Sequence, residues 1–370
     1  MIGVDMKKIL LLAMLCILYT RHCTISHAEE WKTAKQNGVE YTYRFSEKEK
    51  GSIEIVKISK APPDLKIPSK LDGHRVYAMV YPQGHTGPYI SFRKGKFPKV
   101  KADDGKMVKV LNSLRIYEGM KYMNITPPAK RIILPYSMQW IDGDACRGNL
   151  ALKKISIPNP QIEIGGGAFF GCSNLTKIIW PNAKFKGTIG RDAFSNCGFK
   201  TIKLPHMQDM ERQIMTHAFA WNKKLEKITF DKKNSRIKIG SEWFTGCKKA
   251  RITVGKHVKS FSSKVNTYVR TVRLLGKKTK LTGFTKIIKA ESGPNKGTYI
   301  KTDNPVVKDC KYYIQYKTFI VPRKAKALSI LKKAYYGSTA KIHSEDLHAS
   351  EENEYFYYGN RIKKVKIIKK

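Results

Sequence analysis

Five basic side chains recur at nearly even spacing through the middle of the chain: Lys154, Lys177, Lys203, Lys227 and Arg251. Their chemistry is electrostatic. An ammonium or guanidinium group donates hydrogen bonds to phosphate, sulfate or carboxylate and breaks no covalent bond unaided. If the five stand on neighbouring strands about 4.8 Å apart, each adjacent pair repels by roughly 0.9 kcal/mol in water. Such a row is costly until something anionic lies on it, so the spacing predicts an acidic polymer as ligand. A generally basic coat with no special face is the competing reading. The whole chain leans the same way, with Lys+Arg 71 against Asp+Glu 29 and a formal net charge of +42. An excess of that size favours anionic partners and says nothing about fold.

Other reactive groups are sparse. His343, Glu345, Asp346 and His348 form the one cluster of histidines and acids, followed by Glu351 and Glu352. Solvated surface is the favoured reading of that patch, with a metal site as the alternative. There is no nucleophile-elbow serine, no HExxH and no phosphate-cradling glycine loop. Gly165, Gly166 and Gly167 fall in a turn of a repeated unit. The expectation is a chain without catalysis, cofactor or metal, and without a motif that would read nucleic acid. Cys146, Cys172, Cys197, Cys247 and Cys310 are far apart and contain no CxxC, so no disulfide framework is expected. Cys172, Cys197 and Cys247 share a position with Asn149 and Asn222, which predicts small inward side chains. Zinc or a disulfide between turns is the alternative.

The elements that would hold these residues are repeats. An alanine recurs at 145, 168, 193 and 218, and Trp243 takes its place once more, at steps of 23, 25, 25 and 25 residues. An isoleucine stands four residues earlier at 141, 164, 189, 214 and 239. Phe169, Phe194, Phe219 and Phe244 follow directly, with Cys146 in the first unit. Each unit closes on a short alternating run: Ile155 and Ile157, Ile178 and Trp180, Ile202 and Leu204, Ile228 and Phe230, Ile252 and Val254. Alternation is the strand period. A fixed repeat of this length means stacked units that bury one another's apolar faces, rather than one globular core.

These units resemble the BspA-like leucine-rich repeats of bacterial surface proteins, most clearly from Arg131 to Phe261 and again at Asp64–Met79. The resemblance implies a leucine-rich-repeat solenoid. It would be a β-rich right-handed coil with a parallel sheet, one short strand per 23–25 residues, and irregular or short helical returns. It also implies adhesion or recognition, with no shared catalytic residues to carry over.

The remaining segments divide as follows. Residues 1–28 look like a signal peptide, with Lys7 and Lys8 before an apolar stretch and small residues at Ser26 and Ala28. Export to the cell surface or outside follows, with no transmembrane segment after cleavage. Residues 29–80 are expected to form an N-terminal cap and first repeat, 81–130 an insertion or degenerate repeat, and 131–261 the regular repeats. Residues 262–370 are expected to be degenerate repeats and a cap, with a helix over 325–336 and a final hairpin from Glu354 to Ile368. The partner would be an anionic cell-wall polymer, an acidic glycan or a host matrix protein. An envelope scaffold held to the wall by charge alone is the second reading, and an enzyme hidden in the non-repeat segments is the third. Oligomeric state is left open.

Overall fold

The protein is a parallel β-solenoid, known here from a computed structural model. The structure describes residues 31–80, 99–101, 107–109, 125–126, 128–240, 242–262, 269–289, 299–301, 311–313, 316–336, 340–341, 356–357 and 363–370. The segment 1–28, most of 81–130 and the cluster from His343 to Glu352 lie outside these residues.

The alternating runs form one face of the coil. Asp64–Lys66, Arg131–Ile133, Lys154–Ser156 and Lys177–Ile179 pair side by side in parallel. Thr201–Leu204, Lys227–Phe230, Arg251–Val254, Thr271–Leu274, Thr318–Val321 and Lys366–Lys369 make a second parallel sheet. Asp64–Lys66 pairs directly with Arg131–Ile133, so the two are neighbouring rungs of this sheet. A second ladder runs along the returning segments: His74–Met79, Trp140–Ile141, Glu163–Ile164 and Thr188–Ile189, then a single bridge to Ile214. Arg236–Ile237, Ser260–Ser262 and Lys280–Thr282 continue on that side.

A third ladder explains the alanine. The amide after each alanine donates to the carbonyl at the alanine position of the next unit: Cys146 to Ala168 and Phe169 to Ala193 at 2.8 Å, Phe194 to Ala218 at 2.8 Å, Phe219 to Trp243 at 3.0 Å. A methyl group is what fits beneath so close an approach, and all four alanines are fully buried. Trp243 breaks the rule and is accommodated by Gly240, where any Cβ would strike its indole. The corner bends by placing the residue before each alanine in the left-handed region: Asp144, Gly167, Asp192, His217 and Glu242. Just inside, Phe169, Phe194, Phe219 and Phe244 stack face to face at 5.1, 5.6 and 5.8 Å between centroids.

The N-terminal end is covered by antiparallel strands. Lys32–Gln36 pairs Val39–Phe45, which pairs Ser52–Ser59, and that strand runs parallel to His74–Met79. Tyr41, Tyr43, Ile53, Ile55 and Ile58 join the solenoid core.

Two expectations for the C-terminal part are corrected. The helix over 325–336 is one turn, Leu328–Leu331. Ala334–Tyr336 is instead a strand, paired in parallel with Lys311–Tyr313. A dozen residues make a marginal helix in water, and an open strand edge offers them a full set of backbone partners. The final hairpin is not found among the described residues either. Lys366–Lys369 adds in parallel to Thr318–Val321 and extends the solenoid sheet. Phe356–Tyr357 and Lys363–Lys364 join a separate mixed sheet with Tyr299–Lys301, Thr285–Lys289 and Lys311–Tyr313.

Candidate binding surface

Parity along the strands turns Ile155, Ile202, Ile228 and Ile252 inward, all buried, and their neighbours outward. The expected basic row is therefore solvent-facing, but the structure divides it. Lys154 stands directly opposite Lys177, and Lys227 opposite Arg251. Lys203 is two residues out of line. Its partner in register is Thr229, while Thr201 faces Lys227. Lys203 is also engaged, with Nζ 3.0 Å from a carboxylate oxygen of Asp231. Partial burial pushes the Asp231 carboxyl upward, but the Lys233 amide and Lys203 outweigh it and hold it below the usual range. Among the described residues, Lys154, Lys177, Lys227 and Arg251 make no ion pair. Arg131 lies beside Lys154 in the same row, yet is tied to Asp64 at 2.7 Å.

The row is split because the sheet is. Lys177–Ile179 and Thr201–Leu204 belong to separate sheets, and beside them the Gly198 N–H donates to Leu175 O at 3.0 Å. The cause is visible in the corner. In the other units the leucine-like residue lies seven after the alanine, as Leu175 does after Ala168. Phe199 lies six after Ala193. The shortened corner drives Gly198 against Ser173, leaving no room for a Cβ. Trp180 adds bulk where other units carry Ile157 or Leu204. It packs edge-on against Phe185 and Phe194 and stays half-buried.

The cysteines have a structural task. Cys172 Sγ donates to the Cys146 carbonyl at 3.2 Å, Cys197 Sγ to Phe169 O at 3.2 Å, and Cys247 Sγ to Phe219 O at 3.4 Å. Asn222 Nδ2 makes the equivalent bond to Phe194 O at 3.0 Å. In each case the acceptor follows the alanine of the preceding unit, so the thiol and the amide are interchangeable donors in one column. Asn149 is the first residue of the column among the described residues, and its buried Nδ2 has no partner there. Cys310 lies outside the described residues. Burial pushes Cys172 and Cys247 up to about 12 and raises Cys146 and Cys197 well above the ordinary thiol range. A buried neutral thiol is a poor ligand and a poor nucleophile.

This predicts a pH dependence. Thiols in the unfolded chain lose protons near 9, whereas the folded ones keep them until about 12. The stabilisation from neutral burial is present in full below about 9 and is lost as pH rises through the folded values. Thermal melts should hold steady from pH 7 to 8.5 and fall above 9. A melting temperature that stays level to pH 11 would contradict it.

No group of three or more metal-ligating side chains occurs among the described residues. No helix among them is long and apolar enough to cross a membrane.

Residues 132–272 match the BspA type leucine-rich repeat region in six copies. No curated protein matches the chain. Among solved structures, a leucine rich cell surface protein from Faecalibacterium prausnitzii shares 13% identity over 80% of this chain, with a TM-score of 0.38. A leucine-rich repeat protein from Bacteroides ovatus shares 18% over 77%, with a TM-score of 0.38. The pneumococcal vaccine antigen PcpA shares 12% over 82% of this chain and 96% of its own, with a TM-score of 0.24. This chain spans 65% and 58% of the length of the first two. With its period, its alanine ladder and six matched copies, the stretch 132–272 of this chain is similar to the BspA type leucine-rich repeat region.

Proposed function

We propose that the protein is exported and acts at the cell surface or outside the cell as a binding protein, holding anionic polymers on the basic surface of its repeats. The observation that carries this reading is the charge on the outward residues. Between Trp243 and Ala290 there is no aspartate or glutamate, against 13 lysines and arginines. Like charges so placed lower the stability of the folded coil, and an acidic ligand relieves them. The paired residues Lys154 with Lys177 and Lys227 with Arg251 are the strand-face part of that surface. Cell-wall teichoic acid, acidic glycans and acidic patches on matrix proteins share the required chemistry. The repeat class and the leucine-rich cell surface protein among its structural neighbours fit a role outside the cytoplasm.

The test is elution by rising salt from heparin or teichoic-acid resin, beside a sulfonate ion exchanger of matched charge density. The polymer resins should retain the protein to clearly higher salt. Identical elution from all three would leave only undirected charge, which is the scaffold reading.

A further inference from the structure

At the corner where each strand ends, the chain makes a two-residue turn before the second ladder begins. In four successive turns the tip consists of two adjacent basic residues: Lys232–Lys233, Lys256–His257, Lys277–Lys278 and Arg323–Lys324. All eight side chains are exposed. The residue after each tip is buried and anchors it: Asn234, Val258, Thr279 and Ala325. Backbone bonds close three of the turns, from Asn234 N–H to Asp231 O, Val258 N–H to Gly255 O, and Ala325 N–H to Pro322 O, at 3.0–3.2 Å. Others tie turn to turn, from Lys259 N–H to Ser235 O at 2.7 Å, Lys280 to Lys259 at 2.8 Å and Lys326 to Lys277 at 2.8 Å. The tips therefore stack in fixed order, and their strands are in register: Val254 faces Leu274, and Arg273 faces Ile320. The preceding turns at this corner carry Pro205 and His206, before them Asn182 and Ala183, and before those Asn159 and Pro160, so the paired basic tips begin at Lys232.

Asp231, next to the first tip, acts on Lys233 as well as on Lys203. Asp231 is the acid at this corner, and Lys203 holds it. Among the described residues, none of the seven lysines and arginines on the tips is ion-paired. We propose that this ridge is a binding site for a linear acidic polysaccharide, lying along the solenoid axis with its sulfate or carboxylate groups on successive tips. Four tips at strand spacing cover about 14 Å. The bare charge favours a polysaccharide over other polyanions. Binding single-stranded nucleic acid draws on aromatic platforms for its bases, and an anionic membrane draws on apolar side chains that insert. The exposed large apolar residues Trp31, Phe45, Tyr136, Leu150, Ile179 and Met215 all lie off the ridge. The proposal rests on the polyanion-binding reading above and assigns the larger share of the contact to the corner rather than the strand face.

The experiment measures heparin affinity of the full chain at several salt concentrations for two variants that each lose four charges. The ridge variant carries Lys232→Gln, Lys233→Gln, Lys277→Gln and Lys278→Gln. The face variant carries Lys154→Gln, Lys177→Gln, Lys227→Gln and Arg251→Gln. At ~0.15 M salt the ridge variant is expected to bind at least about tenfold more weakly, and its log–log salt slope to fall by about three to four, one for each lost contact. The face variant should lose less than about threefold. Equal losses, or a larger loss in the face variant, overturn the ridge and leave polyanion binding standing. Absence of heparin binding by the unaltered chain overturns both. Displacement of heparin by a single-stranded polythymidylate at equal charge concentration overturns the polysaccharide assignment.

Discussion

Phe194→Ala should destabilise the protein by about 3–5 kcal/mol, the range for truncating a fully enclosed aromatic ring. The ring lies nearly parallel to Phe169 on one side and Phe219 on the other, and meets the edges of Trp180 and Phe199. Its neighbours cannot close the gap. The Phe169 amide is fixed to Ala193 O and the Phe194 amide to Ala218 O, both at 2.8 Å. The ring pair geometry contributes about 0.5–1.5 kcal/mol per contact beyond burial. Urea unfolding followed by circular dichroism measures the loss. Less than 1 kcal/mol would mean that the aromatic column is packed loosely and does not hold the turns together.

Asn222→Ala should cost about 3 kcal/mol, because several backbone groups lose their partner at once. Asn222 Oδ1 accepts from Cys197 N–H at 2.9 Å, and Nδ2 donates to Phe194 O and Phe219 O at 3.0 and 2.7 Å. The residue is completely buried, so water cannot substitute. Asn222→Cys should cost clearly less than Asn222→Ala, since Cys197 and Cys247 perform the same donation one turn to either side. Equal losses for the two variants in thermal melts would show that volume, not hydrogen bonding, governs the column.

The stacked coil was legible because each unit states it in two ways at once. Ile155 and Ile157 alternate as a strand does, while Ile141 and Ala145 recur at the unit period. A strand and its neighbour have to agree on both, and five units do. The interruption was less legible, although Phe199 sits one residue early. A single deletion looks harmless in an alignment by residue type, yet it shortens the corner by a full backbone step. Lys203 was misplaced for a related reason. Two outward positions exist on each strand, and residue type alone does not say which one shares a line with Lys227. The C-terminal strands failed differently. Leu328, Leu331 and Ala334 have helical spacing, but pairing with Lys311–Tyr313 lies far off in sequence and outweighs a local preference. The ridge pairs were present as dipeptides throughout. What they lacked was the knowledge that Phe230, Val254, Leu274 and Val321 end strands at one level.

The last strand of the coil has its own consequence. Among the described residues, Lys366–Lys369 is the end strand of its sheet. An end strand is in general a template for growth, and a repeating coil is a shape that lengthens readily into a fibre. Residues 363–370 place lysine at 363, 364, 366, 369 and 370. Two such ends approaching one another would press five ammonium groups against five, a barrier that weakens only as added salt shortens the Debye length.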